Sequence, residues 1–252
     1  MHMTSKQKAF YAEHGYLHVK GLLTSGEAAD YRARIHALAE RQGETDATWD
    51  SVKGGTSIQH SHDVHFRDAA FTRLLLDPRI TGLAADAIGG PNVQLHHNKM
   101  FIKPPENGSP FPMHQDFPYF PHRDHSLIAM ILHFDDAPAE RGCLCVYPGT
   151  HRLGPLPSIG SDHHLPEEIF PISGATPIPA QAGDAIVTHY LLVHGSGVNV
   201  SDQPRTTLLI QMRDPADAPL NDKHTSRGQG MMLAGVDPGA KPFAFAWEER
   251  AA

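Results

Sequence analysis

Two imidazoles and one carboxylate, those of His114, Asp116 and His194, are the groups in this chain whose types and spacing suit metal chemistry. His114 and Asp116 are two residues apart, His194 comes eighty residues after His114, and Arg205 follows eleven residues later. Two histidines and one carboxylate on one face of Fe(II) leave its other positions open, the arrangement of non-heme iron oxygenases. A guanidinium presents a planar fork of donors that pairs with both oxygens of a carboxylate, such as that of 2-oxoglutarate.

Residues i and i+2 of an extended strand share a face, so His114 and Asp116 converge while Gln115 points away. His194 closes a mostly apolar run, Asp184 to Val193, and Arg205 precedes a β-rich run, Thr206 to Met212. Gly195, Gly197, Asn199, Ser201, Asp202 and Pro204 supply turn chemistry between them. A hairpin there would bring His194 and Arg205 together. An HxD pair alone is weak evidence. The same pair with a distal His before a Gly-rich turn, and an Arg beyond it, is much more specific.

Three stretches resemble the phytanoyl-CoA dioxygenases. They are Phe101-Ile102-Lys103-Pro104-Pro105 continuing through Phe111 to Pro121, then Gly142 to His151, then His194-Gly195-Ser196-Gly197 with Arg205. The resemblance runs from about Phe10 to about Arg213, with the motifs in order. It implies a mainly β fold with added α-helices: a double-stranded β-helix (cupin-like jelly roll) behind an N-terminal helical cap. It implies Fe(II), with 2-oxoglutarate and O2 as co-substrates. Position by position, it implies His114, Asp116 and His194 as iron ligands, and Arg205 and Ser196 on the distal carboxylate of 2-oxoglutarate. Lys99 matches a strand position that often reaches the co-substrate, although the residue type there varies. The implied reaction is hydroxylation of an unactivated C–H bond of a small organic substrate, with release of succinate and CO2. Halogenases of this fold replace the carboxylate ligand with a small residue, so Asp116 favours hydroxylation, with desaturation and ring chemistry left open.

Blander readings stand beside these. Ser196 also suits a turn hydroxyl bonded to local backbone, and Arg205 a surface ion pair. A non-oxidative metal-dependent cupin enzyme would use the triad without needing Arg205. A sensor that binds 2-oxoglutarate without turnover would keep the fold.

The elements that must position these groups follow from local signals. Thr4 and Gln7 have capping-box spacing and Gly15 stops that helix; Thr24 and Glu27 repeat the signal before the stripe Ala28, Tyr31, Ile35 and Leu38, stopped by Gly43. Residues 43–66, with Gly54-Gly55, read as a loop bordering the site. Asp68 opens one helix through Phe71, Leu74 and Leu75, and Asp77-Pro78 another, closed by Gly89-Gly90-Pro91. Strands are expected at Val93–Ile102, Leu127–Phe134, Cys143–Tyr147, Asp184–Val193 and Thr206–Met212, with Leu127–Phe134 central because it is the most apolar. Short strands between Gly and Pro loops argue for a sandwich or jelly roll. Residues 152–181 read as a long insertion over the barrel mouth. The whole chain, 1–252, reads as one oxygenase domain: cap about 1–90, core about 92–213 and polar tail about 214–252.

Composition narrows the partners. The net charge is −7 with no basic block, so no nucleic-acid partner is expected, and no cluster of Lys and Arg marks an acyl-CoA. No apolar run reaches a membrane span. No apolar leader and no SKL-type address is present, so a cytoplasmic protein is expected. Cys143 and Cys145 are too close for an ordinary disulfide and read as buried strand residues. Most of the 19 histidines must be surface or hydrogen-bonding groups; His60 and His62, in the loop near the site, are candidates for substrate contact, and His189 faces away from His194 on a regular strand. Phe117, Tyr119 and Phe120 suit either substrate lining or barrel packing. Oligomeric state is not legible.

Overall fold

The computed structural model describes residues 1–42, 58–160, 162–221 and 225–240. Four α-helices lie in the first part of the chain. Helix α1 (Ser5–His14) has the capping box of Thr4 with Gln7, and Gly15 closes it in the left-handed conformation. Helix α2 (Ser25–Gln42) follows, with Thr24 and Glu27 bonded reciprocally. Asp68 caps α3 (Ala69–Leu75) and Asp77 caps α4 (Pro78–Ile88), each through its carboxylate and a backbone N–H two residues on. The expected stop at Gly43 and the Gly54-Gly55 pair lie outside the described residues.

Eleven strands are described: β1 (Tyr16–Val19), β2 (Gln59–His62), β3 (Val93–Lys103), β4 (Phe111–His114), β5 (Ile128–His133), β6 (Leu144–Val146), β7 (Thr176–Ile178), β8 (Ala185–His189), β9 (His194–Ser196), β10 (Arg205–Arg213) and β11 (Met232–Ala234). The larger sheet runs β1-β8-β5-β10-β3-β11, with β2 added on β3; the smaller runs β4-β9-β6-β7. All pairings are antiparallel, and β5 is indeed central, between β8 and β10.

Period-2 alternation divides the larger sheet into two faces of different chemistry. On one face, Met100, Ile102, Met130, Leu132, Leu208 and Ile210 pack with Ile35, Phe71, Leu74, Ile80 and Leu83 of the helices in one continuous core. Each such side chain, fully buried, contributes about 1.5–3 kcal/mol. The residues between them, Phe101, Ala129, Ile131, His133, Thr207 and Leu209, turn toward the smaller sheet and line a cavity. The helical layer therefore holds the sheet from behind and leaves its front face for chemistry.

Several expectations need correction. The apolar run from Asp184 is not one strand: β8 ends at His189, and the chain crosses to the other sheet before β9 begins at His194. His194 and Arg205 do not belong to a hairpin, because β9 pairs with β4 and β6 while β10 pairs with β3 and β5. The expected loop 43–66 contains β2, the expected insertion 152–181 contains β7, and the polar tail contains β11. These are short strands at the ends of sheets, with too few residues to show a period.

Candidate active site

The site forms where the two sheets face each other. His114 ends β4 and is in register with His194, the first residue of β9. Gly195 makes this close approach possible: a Cβ there would meet Met113 Sδ and the Phe111 carbonyl oxygen, both at 2.6 Å. Asp116 lies just beyond β4 and not on it, and its amide is fixed by donating to the Tyr190 carbonyl at 2.9 Å. Nε2 of His114 and Nε2 of His194 lie 3.7 and 3.8 Å from Asp116 Oδ1. All three donor atoms fall within 4.8 Å of one another, close enough to share one ion.

The hydrogen bonds around the triad set its chemistry. Nδ1 of His114 donates to the Pro112 carbonyl at 2.8 Å, and Nδ1 of His194 to the Leu192 carbonyl at 2.9 Å. With the proton held on Nδ1, the Nε2 lone pair of each ring is left for a metal. Burial, then the neighbouring His194, push His114 down to about 3, so the ring is neutral. Burial raises Asp116, with His194 and the Gln211 amide acting in the opposite sense. Two imidazoles and a buried carboxylate are a donor set that an Fe(II) ion fits.

Gln211 is a site residue that motif reading missed. Its Nε2 donates to Asp116 Oδ2 at 2.9 Å, leaving Oδ1 to face the histidines. A register shift follows Gln211 on β10, where β3 carries the extra residue His96. Such bulges re-aim side chains beside active sites. The signal was present in the sequence: Arg205, Thr207, Leu209 and Gln211 share one strand face. Gln211→Leu is expected to weaken Fe(II) binding about 10–100-fold, as for other partners of a metal ligand. Metal titration checks this; unchanged affinity would show that Asp116 needs no support.

From the triad a cavity of about 110 Å³ runs between the sheets, walled by Phe101, Phe111, Ala129, Ile131, Leu144 and Leu209. Arg205, Ser196, Thr207 and His133 also line it. Arg205 is buried, and burial lowers its guanidinium to about 10. One of its nitrogens donates to the Gly142 carbonyl, its Nε has no partner, and no carboxylate among the described residues pairs with it. A buried cation without an anion is costly, so this end fits an incoming carboxylate. That is the donor set 2-oxoglutarate requires: a metal at one end and a guanidinium at the other.

The remaining sequence candidates are placed as follows. Ser196 lines the cavity and its hydroxyl oxygen accepts from Lys103 at 2.7 Å, so it is not a simple turn hydroxyl. Lys99 is buried on the same face of β3 as Phe101, with its ammonium 5.0 Å from that ring, but it is not among the residues lining the cavity. His60 and His62 pair with Phe101 and Lys99 in β2 and also stand outside the lining. Phe120 packs with Leu127, Tyr190 and Leu191, and Phe117 and Tyr119 pack against that group, although the Tyr119 ring is also 6.0 Å from His114. Within the expected insertion 152–181, two residues reach the site: the Leu165 amide donates to the Met113 carbonyl, and His164 forms an isolated β-bridge with His114. His189 is indeed turned away, with Nδ1 accepting from the Leu191 amide. Cys143 and Cys145 are free thiols.

His133 and His189 are held neutral, at about 3 and about 4, mainly by burial. In the unfolded chain each would titrate near 6.5. The unfolded state therefore binds more protons below that pH, and stability is lost as pH falls from about 6.5 toward the folded values. Each ring is expected to remove about 2 kcal/mol between pH 6.5 and 5. Urea unfolding of the metal-free protein at the two pH values measures it; a flat profile would mean that both rings are accessible to protons in the fold.

The chain is similar to several known proteins. The sequence profile of the phytanoyl-CoA dioxygenase family matches residues 11–207. The peroxisomal phytanoyl-CoA dioxygenase of Mus musculus is 28% identical over 222 residues, which are 78% of this chain and 64% of that one, so this chain spans a little under two thirds of its length. The L-proline trans-4-hydroxylase of Streptomyces griseoviridis is 26% identical over 237 residues, 84% of this chain and 87% of that one. The crystal structure of the epimerase SnoN, with Fe3+, alpha-ketoglutarate and nogalamycin RO, superposes with a TM-score of 0.71 at 25% identity, covering 92% of this chain and 96% of that one. Fold and relatives define a non-heme iron oxygenase that uses 2-oxoglutarate. The chain belongs to the phytanoyl-CoA dioxygenase family. Among the described residues no helix is long and apolar enough to cross a membrane.

Proposed function

We propose that this protein hydroxylates a C–H bond of a small organic molecule at an iron held by His114, Asp116 and His194, with 2-oxoglutarate anchored at Arg205 and Ser196. The observation that carries the reading is the pairing of two features in one cavity: the three convergent donors at one end and the unpaired, buried guanidinium at the other. A non-oxidative metal enzyme has no use for the second. The L-proline trans-4-hydroxylase, whose length this chain largely spans, supports hydroxylation of a small molecule.

Bound iron and 2-oxoglutarate together supply the oxidising power that places one oxygen of O2 in the product and the other in succinate, with loss of CO2. The chain's own part is geometric and electrostatic. The rings of His114 and His194 present Nε2 because their Nδ1 protons are tied to backbone carbonyls. Gln211 fixes the Asp116 carboxylate. Arg205 neutralises and orients the far carboxylate, while Ile131, Leu144, Leu209 and Phe111 exclude water from the space between.

The test is succinate release from 2-oxoglutarate under air with Fe(II), over a panel of small amino acids, hydroxy acids, terpenoids and phosphonates. Succinate in stoichiometry with an oxidised product is expected for at least one class. Bound metal with no succinate, even uncoupled, would contradict the reading.

A further inference from the structure

Lys103 is a fully buried lysine that the reaction as described does not use. It ends β3, directly across the ladder from Arg205. Its ammonium donates to Ser196 Oγ and to the Gly197 carbonyl, each at 2.7 Å, and stands 5.0 Å from the centre of the Phe111 ring. Neither Lys103 nor Arg205 has a carboxylate partner among the described residues. Like charges on directly opposed strand positions are unfavourable, and burial makes the pairing more so. Two basic groups thus stand opposite each other, Arg205 lining the cavity and Lys103 beside it, with no protein carboxylate paired to either among the described residues.

The hydrogen-bond direction adds a second, independent point. Burial, then the neighbouring Arg205, hold the Lys103 ammonium well below its usual range, and a carboxylate arriving at Arg205 favours the charged form; an ammonium can only donate, so the Ser196 oxygen then accepts from it. The hydroxyl proton of Ser196 is then left to be donated elsewhere. No other bond of that hydroxyl is formed, and Ser196 lines the cavity.

We propose that Lys103 is a positioning residue for the co-substrate: it turns the Ser196 hydroxyl into a committed donor toward the distal carboxylate of 2-oxoglutarate and places a second positive charge behind it. The inference rests on the reading of this cavity as the 2-oxoglutarate site. It makes the recognition group a triad, Arg205, Ser196 and Lys103, of which only the first two touch the ligand. Lys99 and Lys103 share the face of Phe101, and the register sets Lys103 opposite Arg205 and Lys99 opposite Leu209.

The experiment is a 2-oxoglutarate titration of the full chain with Fe(II), without oxygen, following the visible charge-transfer band of the chelate. Lys103→Met is expected to weaken 2-oxoglutarate binding roughly 10–100-fold, the range for a charge-assisted hydrogen bond. Its Fe(II) affinity, set by the triad, is expected to stay within about threefold of wild type. Ser196→Ala is expected to weaken 2-oxoglutarate about tenfold, and the double variant to be no weaker than Lys103→Met, because one acts through the other. Lys103→Gln keeps the donor and removes the charge. It serves if the Met variant does not fold, and about three- to tenfold weaker binding is expected for it. Wild-type affinity in either Lys103 variant, or losses that multiply in the double variant, would overturn the inference alone. A wild-type protein that binds Fe(II) but forms no chelate would overturn the reading of the site and this inference with it.

Discussion

Replacing His194 with alanine is expected to leave a folded protein whose turnover of 2-oxoglutarate falls roughly 10²-fold or more. The ring is buried beside His114, at 4.3 Å between centroids, and its Nδ1 bond to Leu192 is local, so its loss removes little packing. What it removes is one of three donors to the metal. A four-ligand protein site binds zinc with about 10–16 kcal/mol, so one ligand accounts for about 3–4 kcal/mol, or roughly 10²–10³-fold in affinity. The iron that does bind lacks a fixed face, so succinate formation is expected to fall by at least that factor. Metal titration and succinate assay measure the two effects separately. Retained iron affinity with retained turnover would remove His194 from the site.

Arg205→Met is expected to separate function from stability. Truncating one partner of a buried charge pair costs about 2–5 kcal/mol, so 2-oxoglutarate binding should weaken roughly 30-fold to 10³-fold or more. The unliganded protein should respond differently. Arg205 is buried and lacks an acidic partner, so an apolar side chain of similar length removes an uncompensated charge. Against this stands the lost bond to the Gly142 carbonyl. The melting temperature without ligand is therefore expected to hold or rise, while the rise produced by 2-oxoglutarate in wild type disappears. A sharp fall in unliganded stability with unchanged 2-oxoglutarate affinity would make Arg205 a structural residue.

The triad was legible because its members sit in short local motifs. His114, Asp116 and His194 could be read from an HxD and a histidine before a Gly-rich turn. Helices α1 to α4 were legible from their caps, since Thr4, Asp68 and Asp77 bond the first turn as their residue types require. What local patterns do not carry is the pairing of distant strands. The run Asp184–Val193 looks mostly apolar throughout because β8 is buried in one sheet and the segment leading to β9 is buried against the other. Nothing in its composition marks the crossing at Tyr190. The hairpin inferred between His194 and Arg205 failed for the same reason: nearness in space came from two sheets facing each other across a cavity. Gln211 and Lys103 act through partners 95 and 93 positions away, Asp116 and Ser196, so their roles emerged only with the register of β3 and β10.

The most direct test of the account is an anaerobic titration of the metal-free protein with Fe(II) and then 2-oxoglutarate, in wild type, His114→Ala and Arg205→Met. The account predicts a weak visible charge-transfer band in wild type, none in His114→Ala, and in Arg205→Met a band that needs roughly 30-fold or more additional 2-oxoglutarate. A band of wild-type strength and midpoint in either variant would contradict the assignment of the iron and co-substrate site.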